Sequence, residues 1–372
     1  LNLYLGVLQF LVMIGGCSLP SLIASTFVRE GREVAVELHF SGLILSAVLI
    51  GILSSLMIVF SALLPFEVRE SILVIVGLAA FFQAANFSNL IFCRMDSLYK
   101  MASILQLSLA VWGVSLTILL FEIYGPSVVF RYMALLLSLF FVFIVYRIYL
   151  FSSWSIVSGK KLVKNYCRIA VHAASLILHH LSGWLRGYFD RFYASGIISI
   201  SEVGIFSVAM VFISGCLLVF SVSSQGIQPY VYRALQKRDI GRLKQFTLLF
   251  MFFVLVVSFV FYYMIPPFFD YFFDSSYLPS AHYAQILMFG VFFQGLYFSF
   301  SHVLFFHRKN TIISFQACCV ALVHVVLVVA FFGDDGNVET LCYIYTLVSG
   351  LHLVLSALFA FKVLSDQRFF AT

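Results

Sequence analysis

Charge is scarce in this sequence. Of 372 residues only 22 are Lys or Arg and 16 are Asp or Glu, 10% in all, whereas 62% are apolar. A soluble domain carries about 25% charged and about 45–50% apolar residues. There is too little polar surface here to wrap a water-soluble fold of this size. Disorder requires low hydrophobicity and high net charge, so the same numbers exclude it. The few basic residues are scattered rather than gathered on a stripe, which argues against nucleic-acid binding. The seven cysteines are odd in number and none falls in a metal-ligand spacing. They read as reduced packing residues. Also missing are the roughly ten-residue stretches of alternating polarity that mark a membrane barrel.

What the chain has instead is continuous apolar sequence, with a mean hydropathy of +1.05. A helix needs about 20 apolar residues to cross the ~30 Å of hydrocarbon, and lipid leaves only helices or closed barrels as spanning structures. Eleven runs fit: Leu3–Phe27, Phe40–Leu64, Ser71–Cys93, Ala102–Phe121, Val128–Phe151, Ile169–Phe189, Val203–Val222, Phe246–Ile265, Ala281–Phe306, Thr311–Phe332 and Thr340–Phe361. The expected fold is therefore all-α and polytopic, with no soluble domain between the spans.

Sidedness follows from the connections. If every second connection, starting after Phe27, lies on one side, that side receives 18 of the 22 basic residues and the other keeps Arg69, Arg131, Arg186 and Arg191. Ten of the 16 acids fall on the Arg-poor side. The positive-inside rule places the basic side in the cytoplasm. Leu1 then lies outside, and the first run heads inward with no signal sequence before it. A twelfth helix upstream, with both ends of the complete protein in the cytoplasm, is the expectation; an unusual start codon at Leu1 is the alternative.

The sharpest change in composition is the Ser- and Gly-containing, then basic, stretch before Ile169, with Lys160, Lys161, Lys164 and Arg168 and no acid. It divides the chain into an N-terminal helical lobe at 1–151, a cytoplasmic linker at 152–168 and a C-terminal helical lobe at 169–372. A weak repeat relates the halves. Tyr4-Leu5-Gly6 opens a helix with Gly15-Gly16-Cys17 near its middle and Phe27–Arg32 at its inner end; Val203-Gly204-Ile205-Phe206 opens another, with Gly215-Cys216 and then Pro229–Arg233. Small residues at mid-helix allow close helix contact, and duplicated halves are a transporter signature.

Trp184-Leu185-Arg186-Gly187-Tyr188-Phe189-Asp190-Arg191, followed by Glu202–Ala209, resembles the seventh and eighth helices of O-antigen flippases of the Wzx type, within the MOP superfamily of polysaccharide and drug exporters. Pro229–Arg233, Phe27–Arg32 and the basic linker fit the same pattern. The resemblance implies two six-helix pseudo-repeat lobes around a central cavity, in the bacterial inner membrane. It also implies a non-enzymatic activity, moving an undecaprenyl-pyrophosphate-linked O-antigen repeat unit from the cytoplasmic to the periplasmic leaflet. Partners would be that lipid-linked glycan, the bilayer, and the O-antigen polymerase and chain-length regulator. No cofactor is implied, and a proton or a sodium gradient could drive the cycle.

An anionic headgroup needs a hydrated, cationic path, and charges inside spanning helices face the interior or an interface. His179, Gly183, Arg186 and Asp190 follow i, i+4, i+7, i+11 spacing and share one helix face; His179 and His180 fall near mid-membrane. One reading is a cavity-lining stripe in which Arg186 or Arg191 pairs with phosphate or sugar hydroxyls and Asp190 holds an arginine in place. The other is an Arg186–Asp190 pair that snorkels to the outer surface. Trp184 of the same segment joins the cavity candidates. Arg191 and Arg131 read first as interfacial and second as anion contacts. Arg29 and Arg233 occupy matching inner helix ends and read first as cytoplasmic anchors, second as a paired intake point for pyrophosphate. His302, His324 and His352 read as hydrogen-bonded packing residues, with proton coupling as the alternative. A membrane enzyme, such as a polymerase or lipid-sugar transferase, would need grouped acid–base residues on a sizeable loop. A drug or cation exporter of the MATE kind would favour buried acids.

Overall fold

The computed structural model describes residues 2–60, 69–96, 98–150, 159–307, 309–333 and 336–366, with the side chains of 2, 28, 29, 160, 175 and 229 outside the description. The described residues are helical with short turns. In chain order the helices are α1 (Asn2–Gly15), α2 (Leu19–Glu30), α3 (Arg32–Val59), α4 (Glu70–Met95), α5 (Tyr99–Tyr124), α6 (Val128–Leu150), α7 (Gly159–Ala194), α8 (Ile200–Gln236), α9 (Ile240–Phe272), α10 (Pro279–Phe306), α11 (Asn310–Leu327) and α12 (Val338–Asp366). A 3-10 turn at Ser275–Tyr277 precedes α10, and a π-helical turn at Val328–Phe332 continues α11. Ten segments among the described residues are long and apolar enough to cross a membrane, with α1 and α2 forming one of them. The protein is a multi-pass membrane protein.

The first expected helix, Leu3–Phe27, is not continuous. It breaks after Gly15, and Cys17 and Ser18 adopt left-handed backbone angles with φ 53° and 51°. Pro20, in the first turn of α2, explains the break: it has no N–H to continue the ladder, and its ring would clash with the carbonyl four residues earlier. The paired segment of the proposed repeat has no proline at that point, and α8 runs unbroken through Gly215-Cys216.

The expected linker also differs. Residues 152–158 lie outside the described residues, but 159–168 form the first turns of α7 rather than an irregular connection. Charge made this stretch look like a linker, yet the charges are what dock it. Lys161 Nζ donates to Glu37 at 2.8 Å, Arg168 Nη1 donates to Glu30 at 2.9 Å, and Asn165 Nδ2 donates to Ser41 at 2.9 Å. Several other helices run past the apolar stretches, as α8 and α9 do. Hydropathy reports where the chain crosses hydrocarbon, while the helix itself continues into water.

Two compact units divide within α7, Leu1–Leu181 and Ser182–Thr372. In the N-terminal unit α4 is central, packing against α1, α3 and α6 through a small-residue core of Val76, Ala79, Ala80 and Ala85. In the C-terminal unit α10 is central, packing against α8, α9 and α12. Phe206, Phe220, Val254, Phe269, Leu287 and Val291 fill its core. A Cβ at Gly290 would meet the Tyr345 ring at 2.7 Å, so only glycine lets α10 and α12 approach this closely.

Candidate functional site

From Ser182 onward α7 belongs to the C-terminal unit, and there Asp190 is buried, Arg186 is half-buried and Gly183 is exposed. Arg186 and Asp190 sit one turn apart on one face, and each finds a histidine on a different helix. Asp190 is 2% exposed and His324, on α11, is 0% exposed. His324 Nε2 donates to Asp190 Oδ1 at 2.7 Å. One turn earlier, Arg186 Nη1 donates to Nδ1 of His352, on α12, at 3.0 Å, and to Oε1 of Gln294, on α10, at 3.4 Å. A guanidinium only donates. His352 Nδ1 is therefore the acceptor, its proton sits on Nε2 and the ring is neutral. Tyr297, one turn along α10 from Gln294, stacks on that ring with centroids 4.1 Å apart.

Arg191 completes the cluster. It is 5% exposed, and its guanidinium lies 5.2 Å from the centre of the Tyr188 ring. Its Nε is buried without a hydrogen-bond partner among the described residues, as are Arg186 Nε and Asp190 Oδ2. Arg186 and Arg191 bring two guanidiniums to a stretch of α7 that holds one carboxylate, Asp190, so the segment carries an excess positive charge. A charge at the bilayer centre costs ~2.5–3.5 kcal/mol on the insertion scale, and a buried ion pair is favourable only when its hydrogen bonds are completed. Unused guanidinium N–H groups beside an excess positive charge suit a phosphate oxyanion. The π-helical turn begins four residues after His324. Such turns widen a helix locally and recur at functional sites. Tyr193 of α7 reaches it, with its hydroxyl 3.1 Å from where a Cβ on Gly333 would lie.

The other sequence candidates are placed as follows. Trp184 stacks near Tyr188 at 6.4 Å and Phe192 at 5.6 Å, an aromatic row along α7. His179 and His180 lie in the N-terminal unit, their rings 5.6 Å apart. Arg131, also in that unit, donates from Nη1 to Thr117 Oγ1 at 2.7 Å. Arg233 is exposed in the last turn of α8, its guanidinium 5.9 Å from the Tyr230 ring centre. The Arg29 side chain lies outside the described residues. His302, read as a packing residue, is buried and shares a 3.0 Å hydrogen bond with Ser224. Sequence reasoning did not place Gln294 or Tyr297 at the site, and read His324 and His352 as packing residues. The available signal was their position on buried helix faces, such as Gln316, Val320 and His324 at four-residue spacing on α11. Among the described residues no group of three or more His, Cys, Asp or Glu could hold a metal ion.

No family model matches the chain, and no curated protein matches it. Solved structures do match its fold. Lipid II flippase MurJ in an inward closed conformation superposes with a TM-score of 0.72 at 14% identity, over 97% of this chain and 81% of that one. A MATE family multidrug resistance transporter of the MOP superfamily, inward-facing, gives 0.68 at 14% identity, over 98% and 88%. A MOP superfamily transporter from Pyrococcus furiosus, described by the reverse polarity of its binding pocket, gives 0.69 at 14%, over 98% and 87%. The chain has the fold of MOP superfamily transporters, and these structural neighbours are transporters and flippases.

Proposed function

We propose that this protein is a flippase that carries undecaprenyl-pyrophosphate-linked O-antigen repeat units from the cytoplasmic to the periplasmic leaflet of a bacterial inner membrane, exposing a cationic site to each side in turn. The observation that carries this reading is the excess of Arg186 and Arg191 over Asp190 in the C-terminal unit, above all the buried Arg191, whose Nε has no hydrogen-bond partner among the described residues. A diphosphate would supply the missing acceptors and the missing negative charge, while the isoprenoid tail stays in lipid. The likeness to a lipid II flippase supports a lipid-linked substrate. A drug or cation exporter would be better served by an excess of buried carboxylate, and this site has the opposite sign. A polymerase would need acid–base groups gathered on a large outer loop; the described outer turns of the C-terminal unit, 195–199 and 273–278, are short.

Deleting the gene should leave repeat units on the inner leaflet and abolish surface polymer. Complementation with the wild-type chain should restore it and complementation with Arg191→Ala should not. Normal surface polymer in the deletion strain overturns the proposal.

A further inference from the structure

The arginine site answers to the charge of a lipid diphosphate and leaves the glycan unaccounted for. A chemically different cavity lies inside the N-terminal unit. Helices α1, α4, α5 and α6 enclose about 210 Å³ there. Its polar lining is four carboxamides: Gln9 from α1, Gln83 and Asn86 from α4, and Gln106 from α5. Phe87 and Tyr146 add aromatic surface, and no Asp, Glu, Lys, Arg or His lines it.

Two observations mark it as a site rather than a packing gap. Asn86 is 6% exposed; its Nδ2 donates to the Leu139 carbonyl at 2.9 Å, which fixes the amide, while Oδ1 is buried with no hydrogen-bond partner among the described residues. Gln106 is exposed although it lies two turns inside the apolar helix α5. A polar side chain at membrane depth faces water or the protein interior rather than hydrocarbon, so the mouth of this cavity is wet.

The lining selects a ligand by elimination. An anion would find no cation, a cation would find no carboxylate, and an apolar group would strand the amides. A carboxamide offers two donors and an acceptor, which suits hydroxyls that donate and accept at once, and aromatic faces suit the C–H faces of a ring. The volume equals about seven waters at ~30 Å³ each, the bulk of one pyranose.

We infer that the Gln9–Gln83–Asn86–Gln106 cavity binds one uncharged sugar ring of the transported glycan. The inference rests on the flippase reading and adds to it a sugar subsite separate from the anion site. It is tested on the full chain in nanodiscs free of glycosidic detergent. Saturation-transfer NMR uses methyl glucoside, methyl galactoside and methyl N-acetylglucosaminide, and phosphorus NMR follows broadening of inorganic pyrophosphate. At least one glycoside should receive saturation, and Gln83→Leu and Gln106→Leu should each weaken it at least fivefold without changing pyrophosphate broadening. Gln106→Leu is at an exposed position, which guards against loss of fold, and Gln83→Asn should recover part of the signal. Arg191→Ala should do the reverse, abolishing the broadening and sparing the glycoside signal. Pyrophosphate broadening with no glycoside signal, or a glycoside signal that neither leucine variant changes, overturns the sugar subsite and leaves the flippase reading standing. Glycoside signal lost with Gln83→Leu, with no pyrophosphate broadening in the wild type, supports the subsite and overturns the anion-carrier reading.

Discussion

Both units carry exposed ion pairs, Arg242–Asp239 in the C-terminal unit among them, but they differ in the charge they bury. In the N-terminal unit the ion pairs lie at helix ends with exposed partners, as in Arg32–Asp96, Lys161–Glu37 and Arg168–Glu30. Its fully buried polar groups are uncharged side chains such as His39, Asn86 and Asn89. The C-terminal unit buries Asp190, Arg191 and His324 together. One sequence thus holds both an edge chemistry, where water screens each pair, and an interior chemistry, where nothing does. On the proposed reading, the difference separates charges that fasten helices from charges kept for a ligand.

The strongest challenge to that contrast is Asp190→Ala. Removing one partner of a buried pair costs about 3–5 kcal/mol, because Arg191 and His324 would lose the carboxylate beside them. A sharply lower thermal midpoint for the purified protein is expected, while Asp190→Asn, which keeps the shape, should lose less. Next comes Arg186→Ala, which removes charge-assisted hydrogen bonds worth about 1.5–3 kcal/mol to His352 and Gln294 and should slow transport more than tenfold in reconstituted vesicles. Arg168→Ala should be mild by comparison. Its pair with Glu30 is about a third exposed or more on each side, and such pairs contribute about 0–1 kcal/mol. Transport should stay within about twofold of wild type, and the effect should fade as salt is added. If Arg168→Ala damaged transport as much as Arg186→Ala, the division between fastening and working charges would be wrong.

The smallest effect is expected outside the membrane, at Asp274. The Ser276 backbone N–H donates to its carboxylate at 3.0 Å, and the Ser275 hydroxyl does so at 3.4 Å. These bonds hold its pKa below the ordinary carboxylate value, the Ser276 contribution being the largest. A depressed folded pKa means that the stabilisation is complete above the unfolded value of about 4 and is lost as pH falls through the lower folded value. The protection of the Ser276 amide, its exchange rate relative to an unstructured amide at the same pH, should therefore fall in acid in the wild-type protein, and should be low already at neutral pH in Asp274→Ala.

Much of this architecture was legible before any coordinates. Apolar run length gave ten of the eleven expected spans, the Ile169–Phe189 run on α7 not being among those apolar enough to cross, because hydrocarbon thickness sets how long an apolar helix must be. The Arg186–Asp190 stripe was legible because helical spacing alone puts the two on one face. Their partners were not, since His324, His352 and Gln294 come from three other helices and spacing within one helix says nothing about which helices meet. The break after Gly15 was signalled by Gly15-Gly16 and Pro20, but a window of mean hydropathy averages over it. The first turns of α7 were misread as linker because a charged helix docked by Glu30 and Glu37 looks, in composition, like an exposed connection. The carboxamides around Asn86 drew no attention because uncharged residues leave no mark on a charge count.

The central claim is that the buried cation of the C-terminal unit exists to hold an anionic headgroup. The most direct measurement places a fluorescent polyprenyl-diphosphate oligosaccharide in proteoliposomes and follows its loss from one leaflet by dithionite quenching. Wild-type and Arg168→Ala protein should move it at similar rates, and Arg191→Ala should slow it by at least thirtyfold while remaining folded. Equal rates for Arg191→Ala and wild type would contradict the account.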